Sequence, residues 1–218
     1  KEVRARELWP QYLERLKSND CHNPTGSPEG GQFCGGQGSS GESAGTPYAH
    51  LNNQPINLSL LRREERKFNV GYGQNEHGAI VKDGRVIIVK GTNPENIPIS
   101  HPPDVLQGSI VTHTHPDLST IPGGHLSMND LLFAAGNNVK EMRAVTSTHI
   151  YSITSTLGDR WYPLYTLEAA FKSSNDKART EVYANQKDYP TALKMLEEIQ
   201  GRTWKYMSTY VEVRAWKR

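Results

Sequence analysis

The sequence predicts a mixed α/β (α+β) domain built around one sheet, with helices collected after it. Three observations carry this. Ala79-Ile80-Val81 and Val86-Ile87-Ile88-Val89 are short apolar runs on either side of Lys82-Asp83-Gly84-Arg85, and Asp-Gly between such runs is a strong hairpin signal. Ser109 to Thr112 reads as a third strand, followed by a short helix over residues 128–135 that ends near Gly136-Asn137-Asn138. Beyond residue 160 the apolar residues recur at helical spacing. Strands that hairpin before a central helix, with more helices after it, pack as an α+β layer structure.

The 218 residues suffice for one domain with extensions. Residues 1–18 place Val3, Leu8, Trp9, Tyr12, Leu13 and Leu16 at helical spacing, interrupted by Pro10, and predict an N-terminal helix that docks on a partner or on the domain. Residues 19–47 hold eight Gly, four Ser and three Pro, a composition that buries too little apolar surface to fix one conformation; they read as a linker. The domain proper is then 48–160. Within it, 58–66 is a short helix with its charges towards solvent, and 91–108, rich in Pro and Asn, is a loop. Arg143–Thr148 and Ile150–Thr154 form a further strand pair with His149 near the turn. Residues 161–218 read as a helical C-terminal extension. Leu167, Ala170, Phe171, Ala178 and Val182 mark its first helix. Pro190 opens a second, with Leu193, Leu196, Ile199 and Trp204, which Gly201 breaks or kinks.

Composition excludes several classes. Twenty-five basic against 23 acidic residues leave a net charge of +2, which gives no electrostatic argument for nucleic acid or an anionic membrane. The longest aliphatic run, Val86 to Val89, is far too short to span a bilayer. The charged first residues lack an apolar signal region, so the expectation is a cytoplasmic protein. Cys21 and Cys34 read as reduced thiols rather than as part of a zinc knuckle.

The chemistry concentrates in Val111-Thr112-His113-Thr114-His115-Pro116 and Ser127-Met128-Asn129-Asp130. Strand alternation puts His113 and His115 on one face. Ser127 and Asp130, three apart at a helix start, share a face as well. Two imidazoles and one carboxylate leave a tetrahedral zinc ion one open position, the arrangement of a catalytic site. The same Ser-x-x-Asp is also a capping box without any metal, and His-x-His on a strand is commonly structural. His125 lies between the two halves as an alternative ligand.

In order along the chain, Glu76, His113-Thr114-His115-Pro116 and Ser127-Met128-Asn129-Asp130 resemble the signature of the JAB/MPN+ (JAMM) zinc metallopeptidases, over roughly residues 70–158. The resemblance implies a JAB/MPN-like (cytidine-deaminase-like) mixed sheet with helices. It implies Zn²⁺ on His113, His115 and Asp130, and hydrolysis of peptide or isopeptide bonds by a metal-bound water. Glu76 would serve as general base and Ser127 as a hydrogen-bond donor to the developing oxyanion. From spacing alone Glu76 is more commonly a solvated strand-end carboxylate. The chain departs from the family in the ten residues Asp117 to Leu126 between Pro and Ser, where a shorter gap is usual. Gly26-Ser27-Pro28-Glu29-Gly30-Gly31-Gln32-Phe33 resembles linkers of phage head-morphogenesis proteins, which implies the host cytoplasm or a virion as location. The implied partner is a peptide or protein substrate, such as a ubiquitin-like tail or a phage protein. A non-catalytic JAB-like binding or assembly module of a phage head or interaction system is the competing class. A PHP-type phosphoesterase needs more His and Asp ligands than the chain holds after residue 125.

Overall fold

In the computed structural model, residues 47–48, 58–71, 73–91, 99, 101–117 and 124–218 are described. The expected N-terminal helix, nearly all of the linker, both cysteines and residues 118–123 of the long loop lie outside the described residues.

Seven strands form one sheet: β1 (Pro47–Tyr48), β2 (His77–Lys82), β3 (Arg85–Lys90), β4 (Ile110–Thr114), β5 (Glu141–Val145), β6 (His149–Ser155) and β7 (Val211–Lys217). Their spatial order is β1-β3-β2-β4-β5-β6-β7. Every neighbouring pair is antiparallel except β4 and β5. A parallel pair needs a crossover, and the β4–β5 connection carries a helix, α3 (Met128–Gly136). The other helices are α1 (Leu58–Glu65), α2 (Pro103–Leu106), α4 (Leu164–Ala184) and α5 (Ala192–Tyr206). The β2–β3 hairpin turns on Asp83 and Gly84, both at positive φ (48° and 73°), as a two-residue turn with Asp-Gly requires.

The two sheet faces are covered differently. Ile80, Val111, Met142, Ala144, Ile153 and Val211 meet Leu131 and Phe133 of α3, Leu167 of α4 and Trp204 of α5 in the main core. On the opposite face Leu61 of α1 packs on Val81 and Ile110, and Val70 packs on Val145 and Ile150. Burying each such side chain stabilises by about 1.5–3 kcal/mol, so α4 and α5 are tied to the strands by the same force that holds α3.

Four sequence expectations change. The helix over 58–66 does expose Arg62 and Arg63, but Glu65 is fully buried. It is held by Arg143 Nη1, 3.3 Å from each carboxylate oxygen, and by the Thr112 hydroxyl at 3.0 Å. The C-terminal stretch is not helical throughout. After α5 the chain returns as β7 and pairs with β6 along its whole length. The 91–108 loop contains α2, begun by Pro103 at a position that tolerates its missing N–H. Gly201 interrupts nothing, since α5 runs through it; that helix starts after Thr191, whose hydroxyl accepts from Lys194 N at 3.2 Å, rather than at Pro190. Among the described residues no helix is long and apolar enough to cross a membrane.

Candidate metal centre

Strand alternation in β4 sends Val111 and His113 into the main core and Thr112 to the Glu65 side. His113 is only 2% exposed. β4 ends at Thr114, but His115 N still donates to Val145 O at 2.8 Å. This extra rung carries the pairing one residue on and brings His115 alongside His113. The two Nε2 atoms lie 2.8 Å apart, with the rings edge to face at 74°.

Asp130 arrives from α3. Ser127 is its N-cap, extended at φ −96°, ψ 172°, and the capping box is complete. Ser127 Oγ accepts from Asp130 N at 3.2 Å, while Ser127 N and Oγ donate to Asp130 Oδ2 at 2.6 and 2.8 Å. The cap thereby fixes the carboxylate rotamer and leaves Oδ1 facing His113 Nε2 at 3.0 Å. Oδ2 lies 3.6 Å from His115 Nε2. The capping box and the ligand reading are therefore compatible, because the cap aims the second carboxylate oxygen into the site. One donor atom from each of His113, His115 and Asp130 falls within 4.8 Å of the others.

The tautomer of His115 is fixed as well. Its Nδ1 lies 2.9 Å from Gly124 O, and a carbonyl only accepts, so Nδ1 carries the hydrogen and Nε2 presents a lone pair. His113 Nε2, between that lone pair and Asp130 Oδ1, holds a hydrogen in the metal-free protein; once it gives that up, two imidazole nitrogens and a carboxylate in a buried pocket are a donor set that zinc takes. Their electrostatics make the same demand. Burial alone would lower the His113 pKa, but the Asp130 carboxylate, by charge and hydrogen bond, and the Glu76 charge override it and push it up to about 9. Asp130 is held well below the usual carboxylate range: burial opposes its ionisation, and the His113 charge and hydrogen bond, the His115 charge and the Ser127 N–H overcome that. His115 goes down, through burial and the neighbouring His113 charge. Asp130 thus draws positive charge, which protonated His113 supplies in the metal-free protein and which a divalent cation could supply in its place.

Glu76 is 8% exposed, so it is not a solvated strand-end residue. Gly78 of β2 pairs with His113, and that antiparallel register, extended two more pairs, sets Glu76 opposite His115 on the face that carries both histidines. Its backbone is anchored by Gly91 N donating to Glu76 O at 2.8 Å. Glu76 stands outside the three-residue donor group, yet its charge acts on His113. His77 is half-buried, with Nδ1 2.7 Å from Asn75 O. His125 does not join the donors. It stacks on Tyr151 at 4.0 Å and 27°, with His149 5.8 Å from the same ring, and burial depresses it to about 4.

The contact of His115 with the Gly124 carbonyl escaped sequence reasoning, since a backbone acceptor has no sequence signature. Gln200 and Trp204, which touch the same segment, were readable only as helix positions. Comparison with family models, curated proteins and solved structures gave no match.

Proposed function

We propose that the chain is a zinc-dependent hydrolase of peptide or isopeptide bonds, with the metal on His113, His115 and Asp130. The observation that carries this is the convergence of His113 Nε2, His115 Nε2 and an Asp130 carboxylate oxygen, with the buried Glu76 on the same face of the sheet. Bound there, zinc would supply Lewis acidity towards a water molecule and a substrate carbonyl. Asp130 contributes charge, and its cap keeps that charge in place. His115 keeps Nε2 turned inward through its bond to Gly124 O. Glu76 is the proton acceptor: it takes a proton from the attacking water and returns it to the leaving amine. Ser127 gives its hydroxyl hydrogen to Asp130 Oδ2, so its first task is to orient a ligand. Donation to an oxyanion requires that hydroxyl to turn. The substrate class is a peptide or protein chain, such as a ubiquitin-like tail or a phage protein.

Cleavage of a peptide library by the zinc-loaded protein and by Glu76→Gln tests the reading. General-base catalysis contributes about 10²–10⁴-fold, so Glu76→Gln should lose at least a hundredfold in kcat while binding zinc normally. Equal cleavage by the two proteins refutes Glu76 as base. A zinc-loaded protein that cleaves nothing favours the binding-module reading.

A further inference from the structure

Both contacts that orient the ligand set come from one short segment. Gly124 O fixes the His115 tautomer at 2.9 Å, and Ser127 N and Oγ hold Asp130 Oδ2 at 2.6 and 2.8 Å. Ser127 is tied to α3 as its N-cap, but residues 124–126 belong to no helix or strand, so no backbone ladder sets their position. What meets them is α5. The Trp204 indole Nε1 donates to Leu126 O at 3.1 Å in a buried setting. One turn earlier, Gln200 Oε1 accepts from His125 N at 3.4 Å. A Cβ on Gly124 would meet Gln200 Nε2 at 3.0 Å, so the Gln200 side chain lies against the Gly124 backbone. Phe171 of α4 meets the Trp204 ring edge to face at 5.2 Å and braces the indole.

We propose that Gln200 and Trp204 are positioning residues for His115 and Asp130, acting through the main chain of Gly124–Leu126; the inference rests on the metal-centre reading above. The C-terminal helices then do more than close the core. They set the aim of two of the three ligands. Removing the indole N–H leaves Leu126 O buried without that donor, and the segment shifts to find another. A shift of a few tenths of an ångström there moves both the Gly124 carbonyl and the Ser127 cap. Contacts that orient metal ligands are typically worth about 10–100-fold in affinity.

Zinc affinity by chelator competition, and the visible absorption of the Co²⁺-loaded protein, test this on Trp204→Phe and Gln200→Met. Phe keeps the ring and loses the donor. Met keeps the length and loses the acceptor. Val182→Ala is the control, since it loosens the packing of α4 on α5 in a cluster with Ala178 and Ile199 that contains neither Trp204 nor Leu126. The expected result is a loss of about tenfold in zinc affinity for each variant, with a changed Co²⁺ spectrum, while Val182→Ala lowers Tm and leaves both readouts unchanged. Wild-type affinity and spectrum in both variants would overturn the proposal, as would an equal loss in Val182→Ala. Should Trp204→Phe not fold, Gln200→Met decides on the same readouts. Wild-type protein that binds neither metal would overturn the metal-centre reading and this inference with it.

Discussion

Replacing Arg143 by Met should destabilise the domain more than any surface change, and the size follows from the Glu65 site. Glu65 is 0% exposed and Arg143 2%. Arg143 Nη1 reaches both Glu65 oxygens at 3.3 Å, its Nε bonds Glu141 Oε1 at 2.8 Å, and its guanidinium lies 5.2 Å from the Trp216 ring. Methionine preserves much of the volume but leaves a buried carboxylate with Thr112 as its remaining side-chain hydrogen-bond partner among these contacts. Breaking a buried pair in this way costs about 3–5 kcal/mol, against a total stability of about 5–15 kcal/mol for a domain. Replacing both partners, in Glu65→Leu/Arg143→Met, should recover most of the loss because no charge then remains buried. pH adds a second signature. Burial raises the Glu65 pKa above its ordinary value, and Arg143 is the strongest influence opposing that rise. A carboxyl that holds its proton more tightly when folded makes stability fall as pH climbs above the unfolded value. Without Arg143 that fall extends to higher pH, so the variant's deficit should be larger at pH 8 than at pH 5. Urea denaturation followed by circular dichroism at both pH values measures it. A loss below about 1 kcal/mol, or one that shrinks with rising pH, refutes the reasoning.

The metal-free protein should lose stability as pH rises from 6.5 to about 9, because His113 is raised to about 9 by Asp130 and its contribution is fully present only below the unfolded value. At about 1.4 kcal/mol per unit the loss approaches roughly 3 kcal/mol. Urea titrations in chelator across this range check it, and a flat profile contradicts it. Zinc affinity should move the opposite way and strengthen with pH, since His113 must give up its proton to bind. Leu167→Ala should cost about 2–5 kcal/mol and keep a single unfolding transition, because Leu167 is fully buried in the core that includes the strands. A separate transition for the C-terminal helices in calorimetry would show that they fold apart from the sheet.

The group that could hold a metal was legible because it obeys local rules. His113 and His115 follow the two-residue strand period, and Asp130 sits at the third position of a helix whose cap is written as Ser-x-x-Asp. The hairpin was legible from Asp83-Gly84, which supply the two positive φ values it needs. The burial of Glu65 is not legible locally, because its partner Arg143 lies 78 residues away. In isolation a Glu among arginines is a solvent-facing residue, and only the pairing of distant elements reverses that. β7 carries a local strand signal at the end of a helical stretch: Val211, Val213 and Ala215 alternate with Glu212 and Arg214. His125 drew attention through its place between the ligand motifs, but Tyr151, on β6, gave its ring a stacking partner that no spacing announces.

The central claim is tested most directly by zinc binding to four proteins: wild type, His113→Ala, Asp130→Ala and His125→Ala. Isothermal titration with elemental analysis of the gel-filtered protein gives affinity and stoichiometry together. One zinc per chain in the wild type and in His125→Ala, with binding lost or weakened at least a hundredfold in His113→Ala and Asp130→Ala, is the predicted result. A folded wild-type chain that retains no zinc, or zinc lost on His125→Ala and kept on Asp130→Ala, would contradict it.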